Sequence, residues 1–172
     1  MEMKVNVSQE LRQPGKVGRR QLLAELGRQE YLGRELAFNA PLQVEAECVY
    51  DGEGFSVRGS AVTGLDSHCA LCGRPFKEAL TFRFDERFVL NPGEDEDCYG
   101  YKGEELDLEK MLLDNLFLNM PAYSRCREDC QGLCPVCGLD LNTGQCSCRR
   151  EEEEKENPFA ALEQLLDQDK EV

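Results

Sequence analysis

Apolar and polar residues alternate along three runs in the middle of the chain, at residues 42–50, 55–61 and 80–88. A period of two places successive side chains on opposite faces of a strand, so each run predicts a strand with one buried and one solvated face. The turn signal Asp51-Gly52-Glu53-Gly54 separates the first two runs. The pattern therefore predicts an antiparallel β-meander.

A helical pattern follows the meander. Its apolar positions recur at the spacing of one helix face, at Leu108, Met111, Leu112 and Leu116. Asp107 is a candidate N-cap, and Pro121 ends the pattern. We expect this segment to be the main core helix, packed on the sheet. With residues 3–7 as a further short strand, the predicted fold class is α+β, an antiparallel β-meander packed against a core helix.

Charged stretches flank the predicted meander and helix. Residues 12–34 are the only basic stretch of any length. We interpret them as a solvated face or a mobile arm, with a short helix as the alternative because Leu22, Leu23 and Leu26 lie at helical spacing. Residues 91–105 combine proline and glycines with several acids and are predicted to form a loop.

Three parts are predicted along the chain. Residues 1–121 form the α+β body, residues 122–150 form a cysteine-rich zinc-binding segment packed on it, and residues 151–172 form an acidic linker and a short helix. The linker opens with four consecutive glutamates, Glu151 to Glu154. The dipeptide Asn157-Pro158 then places a cap and a first-turn proline at the start of a short amphipathic terminal helix.

The overall charge restricts the partners of this chain. Its 172 residues carry a formal charge of −14. The first residues lack the apolar core of a secretory signal, and no apolar run is long enough to span a membrane, so we expect a cytosolic protein with reduced thiols. Such an acidic chain should be repelled by bare nucleic acid and should attract basic partners. Neither a membrane nor a small-molecule substrate is expected to be bound.

The cysteines carry the strongest chemical signal in the sequence. Ten cysteines in a cytosolic chain are better explained by metal than by disulfides. Six of them follow the spacing C-x3-C-x3-C-x2-C-x8-C-x-C. This stretch contains one Cys-x2-Cys-Gly motif, Cys134–Gly138, and a second lies upstream at Cys69–Gly73. Thiolate is a favoured ligand of tetrahedral zinc. We therefore predict two structural four-cysteine Zn²⁺ sites, with the ligands Cys69, Cys72, Cys126, Cys130, Cys134, Cys137, Cys146 and Cys148.

The grouping of these eight ligands is left open by their spacing. In the preferred arrangement the last four cysteines form one site and the first four form the other, because residues 142–144 can turn the chain back. In a second arrangement the two Cys-x2-Cys pairs share a site, as in many zinc ribbons. In a third, only one site forms and the other thiols stay free. Free thiols throughout, an iron–sulfur cluster or a redox switch are the alternatives to zinc.

Three further candidate residues receive structural interpretations. Cys48 lies on the apolar face of a predicted strand and is interpreted as a small core residue. Cys98 lies in the acidic loop, and His68, the single histidine, adjoins Cys69 as a neighbour rather than a ligand. The sequence contains no evident nucleophile–base set, and a zinc ion with four thiolates has no open position for water. We therefore expect the protein not to be an enzyme.

The order of these motifs resembles the YceD family, which is named for large ribosomal RNA subunit accumulation. The resemblance covers about residues 42–166 and is most specific at Gly132–Asn142, which reads GLCPVCGLDLN and is followed by Cys-x-Cys. The full cysteine set is similar to that of Gram-positive members. The chain departs from the family pattern at Asn157-Pro158-Phe159, where Asp-Pro-Arg is usual, and at Cys98, which the pattern does not include.

The resemblance implies a non-enzymatic factor that supports 23S rRNA accumulation or large ribosomal subunit assembly. Because the chain is acidic, we expect it to bind a basic ribosomal protein or an assembly intermediate, with rRNA affected indirectly. One alternative is a direct RNA-binding zinc module, supported by Arg125, Arg127, Arg149 and Arg150. Another is a thiol-based redox or zinc sensor.

Overall fold

The computed structural model describes residues 3–93 and 97–148. The chain divides into two compact units, Met1–Gly132 and Leu133–Val172. The predicted acidic linker and terminal helix, residues 151–172, lie outside the described residues. The domain boundaries placed after residues 121 and 150 stay predictions.

The described part of the first unit contains nine strands and two short helices. In chain order they are β1 (Lys4–Asn6), α1 (Ser8–Arg12), β2 (Val17–Ala24), β3 (Gln29–Tyr31), β4 (Arg34–Leu36), β5 (Phe38–Tyr50), β6 (Gly54–His68), β7 (Pro75–Val89), β8 (Cys98–Gly100), β9 (Glu105–Asp107) and α2 (Glu109–Leu118).

A five-stranded sheet with the order β2-β5-β6-β7-β8 dominates this unit. Its centre is the antiparallel meander β5–β6–β7, whose register pairs Val44 with Ala61 and Ala61 with Phe82. These three side chains are buried on one face, whereas Glu45 and Arg83 are exposed on the other. The structure therefore confirms the α+β class and the meander that the alternation predicted. The short strand β8 adds to β7 in parallel, and β1 pairs with β9 in a separate ribbon.

The helix α2 contributes the other side of the core. Its apolar face is fully buried at Met111, Leu112 and Leu116, as is Leu108 immediately before the helix. Asn115 on the same side donates a hydrogen bond from Nδ2 to Oε1 of Glu86 on β7, at 2.9 Å. The helix begins at Glu109, whose N–H donates to Oδ1 of Asp107 at 3.1 Å. At 10 residues α2 is the longest helix of the described ranges, and none of these helices is long and apolar enough to cross a bilayer.

The basic stretch 12–34 is largely exposed, as expected of a solvated face, but it contains three strands and is neither a helix nor a mobile arm. Strand β2 pairs with β5 along its whole length and forms an edge of the main sheet. Strands β3 and β4 form a small hairpin of their own. The helical spacing of the leucines in this stretch is misleading, because pairing with a long neighbouring strand outweighs a weak local preference for helix.

A buried ion pair joins α1 to this edge strand. The Glu10 side chain is 2% exposed, and both of its carboxylate oxygens accept hydrogen bonds from Nη2 of Arg20, at 3.0 and 3.2 Å. The same nitrogen donates to the backbone oxygen of Asn6 at 2.8 Å. Gly18 leaves room for this pair, because a Cβ at that position would displace the Glu10 carboxylate. The pair therefore fixes where the N-terminal helix meets the sheet.

Candidate metal centres

The tip of the β6–β7 hairpin is built as a metal-binding knuckle. The Gly73 N–H donates to the Cys69 carbonyl at 2.8 Å, and the Cys69 N–H donates to the Arg74 carbonyl at 2.9 Å. This tight turn needs a left-handed residue after Cys72, and Gly73 supplies it with φ of 70°. The strands on either side hold the turn rigid, so both thiols are presented at the end of the hairpin.

The segment 122–132 brings two more thiols to this tip. Its backbone is joined to the knuckle by a hydrogen bond from the Ala70 N–H to the Ser124 carbonyl, at 2.8 Å. The Sγ atoms of Cys69 and Cys130 lie 3.8 Å apart, and those of Cys72 and Cys126 are also separated by 3.8 Å. All four sulfurs lie within 4.8 Å of one another, and none is in a disulfide. We call this group, which belongs to the first unit, site 1.

The second unit contains a knuckle of the same construction. The Gly138 N–H donates to the Cys134 carbonyl and the Cys134 N–H donates to the Leu139 carbonyl, each at 2.8 Å. Gly138 again has a positive φ, of 74°. The two knuckles therefore share both their hydrogen bonds and their glycine, as their common Cys-x2-Cys-Gly sequence suggests.

A turn organised by Asp140 returns the chain to this second knuckle. Oδ1 of Asp140 accepts a hydrogen bond from the Asn142 N–H at 2.9 Å, and its carbonyl accepts from the Thr143 and Gly144 N–H groups at 3.1 and 3.2 Å. The return completes a second group of four sulfurs within 4.8 Å of one another, which we call site 2: Cys134, Cys137, Cys146 and Cys148. The structure thus groups the eight cysteines in the arrangement preferred from the sequence.

The two sites differ in their exposure to solvent. In site 1, Cys69 and Cys130 are buried. In site 2, Cys134 is buried, Cys137 is exposed and the other two cysteines are intermediate. Reagents in solution therefore reach site 2 more readily than the buried sulfurs of site 1.

Backbone amides favour a thiolate at the first cysteine of each knuckle. The pKa of Cys69 is lowered to about 6, chiefly by the backbone N–H of Cys126, against the opposing effect of burial. The pKa of Cys134 is also lowered to about 6, chiefly by the backbone N–H of Cys137. In contrast, burial and then the neighbouring Cys69 sulfur raise the pKa of Cys126 to about 12. In each group the first thiol ionises easily, and its negative charge then opposes ionisation of the neighbouring thiols. A bound divalent cation would remove this repulsion.

The other candidate residues are not members of these groups. Cys48 is fully buried in β5, where burial raises the pKa of its thiol to about 11, and it is therefore a core residue. Cys98 lies in β8 opposite Arg87, and His68 is exposed at the end of β6. Among residues 3–93 and 97–148, these three belong to no cluster of potential metal ligands.

The contacts that fasten Ser124 to the hairpin could not be inferred from the sequence. Besides its backbone hydrogen bond to Ala70, Ser124 donates from Oγ to Oε2 of Glu78 at 2.6 Å. Glu78 lies 46 positions upstream and occupies an ordinary place in an alternating strand. No local motif distinguishes this glutamate from the others in the sheet.

Comparison with known proteins places this fold and these cysteines in a family. Residues 57–166 match the family model described as "Large ribosomal RNA subunit accumulation protein YceD". This match spans both predicted metal sites.

Curated relatives support the match over parts of their own length. An uncharacterised protein of Mycobacterium tuberculosis is 30% identical over 95 residues, which cover 52% of this chain and 46% of the relative. The chloroplastic homologue 1 of the large ribosomal RNA subunit accumulation protein YCED, from Arabidopsis thaliana, is 23% identical over 161 residues, covering 74% of this chain and 50% of the relative. The chain spans about half the length of the curated relatives it matches. No solved structure matches. The chain belongs to the YceD family of large ribosomal RNA subunit accumulation proteins.

Proposed function

We propose that this protein is a non-enzymatic factor that supports 23S rRNA accumulation or large ribosomal subunit assembly, and that each of its two sites holds one structural Zn²⁺. The family match supports the process. The observation that carries the metal assignment is the pair of 3.8 Å Sγ–Sγ distances in site 1. Four sulfurs placed 2.3 Å from a central ion at tetrahedral angles are separated by about 3.8 Å, which is the geometry of zinc with four thiolates.

A structural role for zinc follows from the ligand sets. Four protein thiolates leave no open coordination position, so neither site could activate water or polarise a substrate. At site 1 the ion would hold the hairpin tip and the segment 122–132 together. At site 2 it would hold the knuckle against the returning chain. The function would then depend on the surfaces whose positions the two zinc sites stabilise.

Bound metal is expected to be lost in acid. Zinc binds the thiolate form, so protons compete with it and its stabilising effect is present at neutral pH and falls as pH decreases. The thiols of Cys69 and Cys134, whose pKa is about 6 without metal, also bind protons below that pH, so competition with zinc increases there and we expect release in this acid range. A chromogenic chelator added during an acid titration, with circular dichroism recorded in parallel, measures this release. Full retention of two zinc ions at pH 3 would contradict the assignment.

The acidic charge supports a basic protein as the direct partner. The formal charge of −14 favours association with a cationic surface and disfavours approach to free RNA. The proposed contacts are Glu151 to Glu154 and the acidic residues 91–105, which were predicted as a loop but contain strand β8 and the first residue of β9. Residues 94–96 of the loop and the glutamate run lie outside the described residues.

A pull-down from cell extract tests this partner. Ribosomal proteins or large-subunit precursors should remain bound after RNase treatment and should dissociate at high salt, because salt screens the attraction between exposed charges. Changing Glu151 to Glu154 to glutamine should weaken the capture several-fold. The matched control changes four exposed glutamates elsewhere to glutamine and should have no effect: Glu25, Glu30, Glu35 and Glu53. Tight binding to naked 23S fragments, without protein, would argue against this partner.

Direct RNA binding is the second candidate, because one feature of the cysteine segment favours it. Tyr123 is 62% exposed, and the guanidinium of Arg125 lies 5.2 Å from its ring centroid. An exposed ring beside a cation is suited to stacking on a nucleic-acid base. If RNA is contacted here, Arg125→Glu should abolish a gel shift with 23S fragments, whereas Arg28→Glu, at the exposed residue just before β3, should not.

A further inference from the structure

Site 1 is assembled from two parts of the chain that are far apart in sequence. Its paired sulfurs are separated by 61 and 54 positions. The hairpin tip is held by long paired strands, but α2 ends at Leu118 and residues 119–132 contain no helix or strand. Regular secondary structure therefore does not place Cys126 and Cys130 opposite the knuckle. Other contacts must hold this segment.

Glu78 on β7 makes one such contact through its side chain. Its Oε2 accepts a hydrogen bond from Oγ of Ser124 at 2.6 Å and a second from Oγ of Ser67 on β6 at 3.1 Å. Glu78 and Ser124 are part-buried at this contact. One carboxylate oxygen therefore joins both strands of the hairpin to the residue two positions before Cys126.

Ser124 is held at its backbone as well as at its side chain. Its carbonyl accepts from the Ala70 N–H, inside the knuckle itself, while its hydroxyl donates to Glu78. Two attachments, one to Ala70 in the turn and one to Glu78 on β7, fix the orientation of the chain as it enters Cys126. Hydrogen bonds to an ionised carboxylate are roughly twice as strong as those between neutral groups. The hydrogen bond from Ser124 to Glu78 is therefore the stronger of the two attachments.

We propose that Glu78 is a positioning residue for the metal at site 1, acting through Ser124 to hold Cys126 and Cys130 at coordinating distance from the hairpin. The inference rests on the proposed zinc function. Glu78 would support the site without being a ligand itself. Groups beside metal ligands typically change metal affinity by about 10–100-fold when they are replaced.

The pairing of the hairpin does not depend on this glutamate. Strands β6 and β7 are paired continuously from Gly54↔Val89 to His68↔Pro75. Removing the carboxylate should therefore leave the strands in register. Its loss should instead loosen the segment that carries the last two ligands of site 1.

The test measures metal affinity at each site separately in the full-length chain. Changing Cys146 and Cys148 to serine leaves site 1 alone, and changing Cys126 and Cys130 to serine leaves site 2 alone. Zinc affinity is measured in both backgrounds by competition with a chromogenic chelator. Glu78→Ala and Ser124→Ala should each weaken site 1 by about 10–100-fold and change site 2 by less than about threefold.

Two further variants separate positioning from general destabilisation. Glu78→Gln keeps an acceptor oxygen and should weaken site 1 less than Glu78→Ala does. Asp66→Ala removes another hairpin carboxylate, whose Oδ1 accepts a hydrogen bond from Nδ2 of Asn39 on β5 at 2.7 Å. This control should leave site 1 unchanged. With Co²⁺ in place of zinc, the visible ligand-field band of site 1 should change in Glu78→Ala and stay constant in Asp66→Ala.

The outcomes distinguish this inference from the function on which it rests. Unchanged site 1 affinity in both Glu78→Ala and Ser124→Ala, in a protein that binds two zinc ions, would overturn the role of Glu78 alone. Equal losses at both sites, or an equal loss in Asp66→Ala, would show general destabilisation and overturn it too. A wild-type chain that binds no zinc would overturn the metal function and this inference together.

Discussion

Cys130→Ser is expected to remove one zinc ion per chain and to release the segment 122–132 from the hairpin. Serine is a poor zinc ligand, and a structural zinc site contributes about 10–16 kcal/mol of apparent binding free energy at neutral pH, which is lost when the site fails. Native mass spectrometry should show one zinc ion in the variant and two in the wild type. Hydrogen exchange at the Ala70 amide, which is bonded to Ser124, should become faster.

The corresponding change at site 2 is expected to be less damaging. Cys146→Ser should also remove one zinc, but site 2 connects cysteines close in sequence, whereas site 1 connects residues 54 and 61 positions apart. Closing the longer loop at site 1 removes more conformational entropy from the unfolded chain, a difference of about 1–2 kcal/mol. Zinc at site 1 is therefore expected to stabilise the fold more than zinc at site 2. Cys98→Ser, outside both groups, serves as the control and should retain two ions. Two zinc ions in all three variants would refute the proposed sites.

Arg20→Met is expected to lower the free energy of unfolding by about 3–5 kcal/mol, because it leaves the Glu10 carboxylate buried without its cation. The Glu10 side chain is only 2% exposed, and Arg20 is its hydrogen-bonding partner at both oxygens. Urea denaturation at saturating zinc measures the change. The effect should appear at the edge of the sheet, where α1 meets β2.

A surface ion pair on the same strand provides the control. Arg19 bonds Glu47 at 3.0 Å, but the two side chains are 84% and 38% exposed. Arg19→Met should therefore cost no more than about 1 kcal/mol. The double variant Glu10→Gln with Arg20→Met should be more stable than Arg20→Met alone, because a neutral amide is less costly to bury than an unpaired carboxylate. Equal destabilisation by Arg19→Met and Arg20→Met would contradict the importance assigned to the buried pair.

The sequence alone determined the features of this protein that depend on neighbouring residues. The alternation in residues 42–50, 55–61 and 80–88 indicated the meander, and the helical period before Pro121 indicated α2, because a buried face imposes its period on the chain. The two Cys-x2-Cys-Gly motifs indicated the knuckles, because glycine provides the positive φ that the turn requires. The order of these motifs also indicated the family.

The tertiary structure alone decided the features that join distant parts of the chain. It grouped the sulfurs into sites 1 and 2 and made residues 17–24 an edge strand. It also buried Glu10 against Arg20 and brought Glu78 within hydrogen-bond distance of Ser124. Each of these features depends on which segments of the chain are neighbours in the fold and on the register of their pairing. Local periodicity carries no information about such neighbours, because the same alternation fits many pairings, and only the packed fold selects one of them.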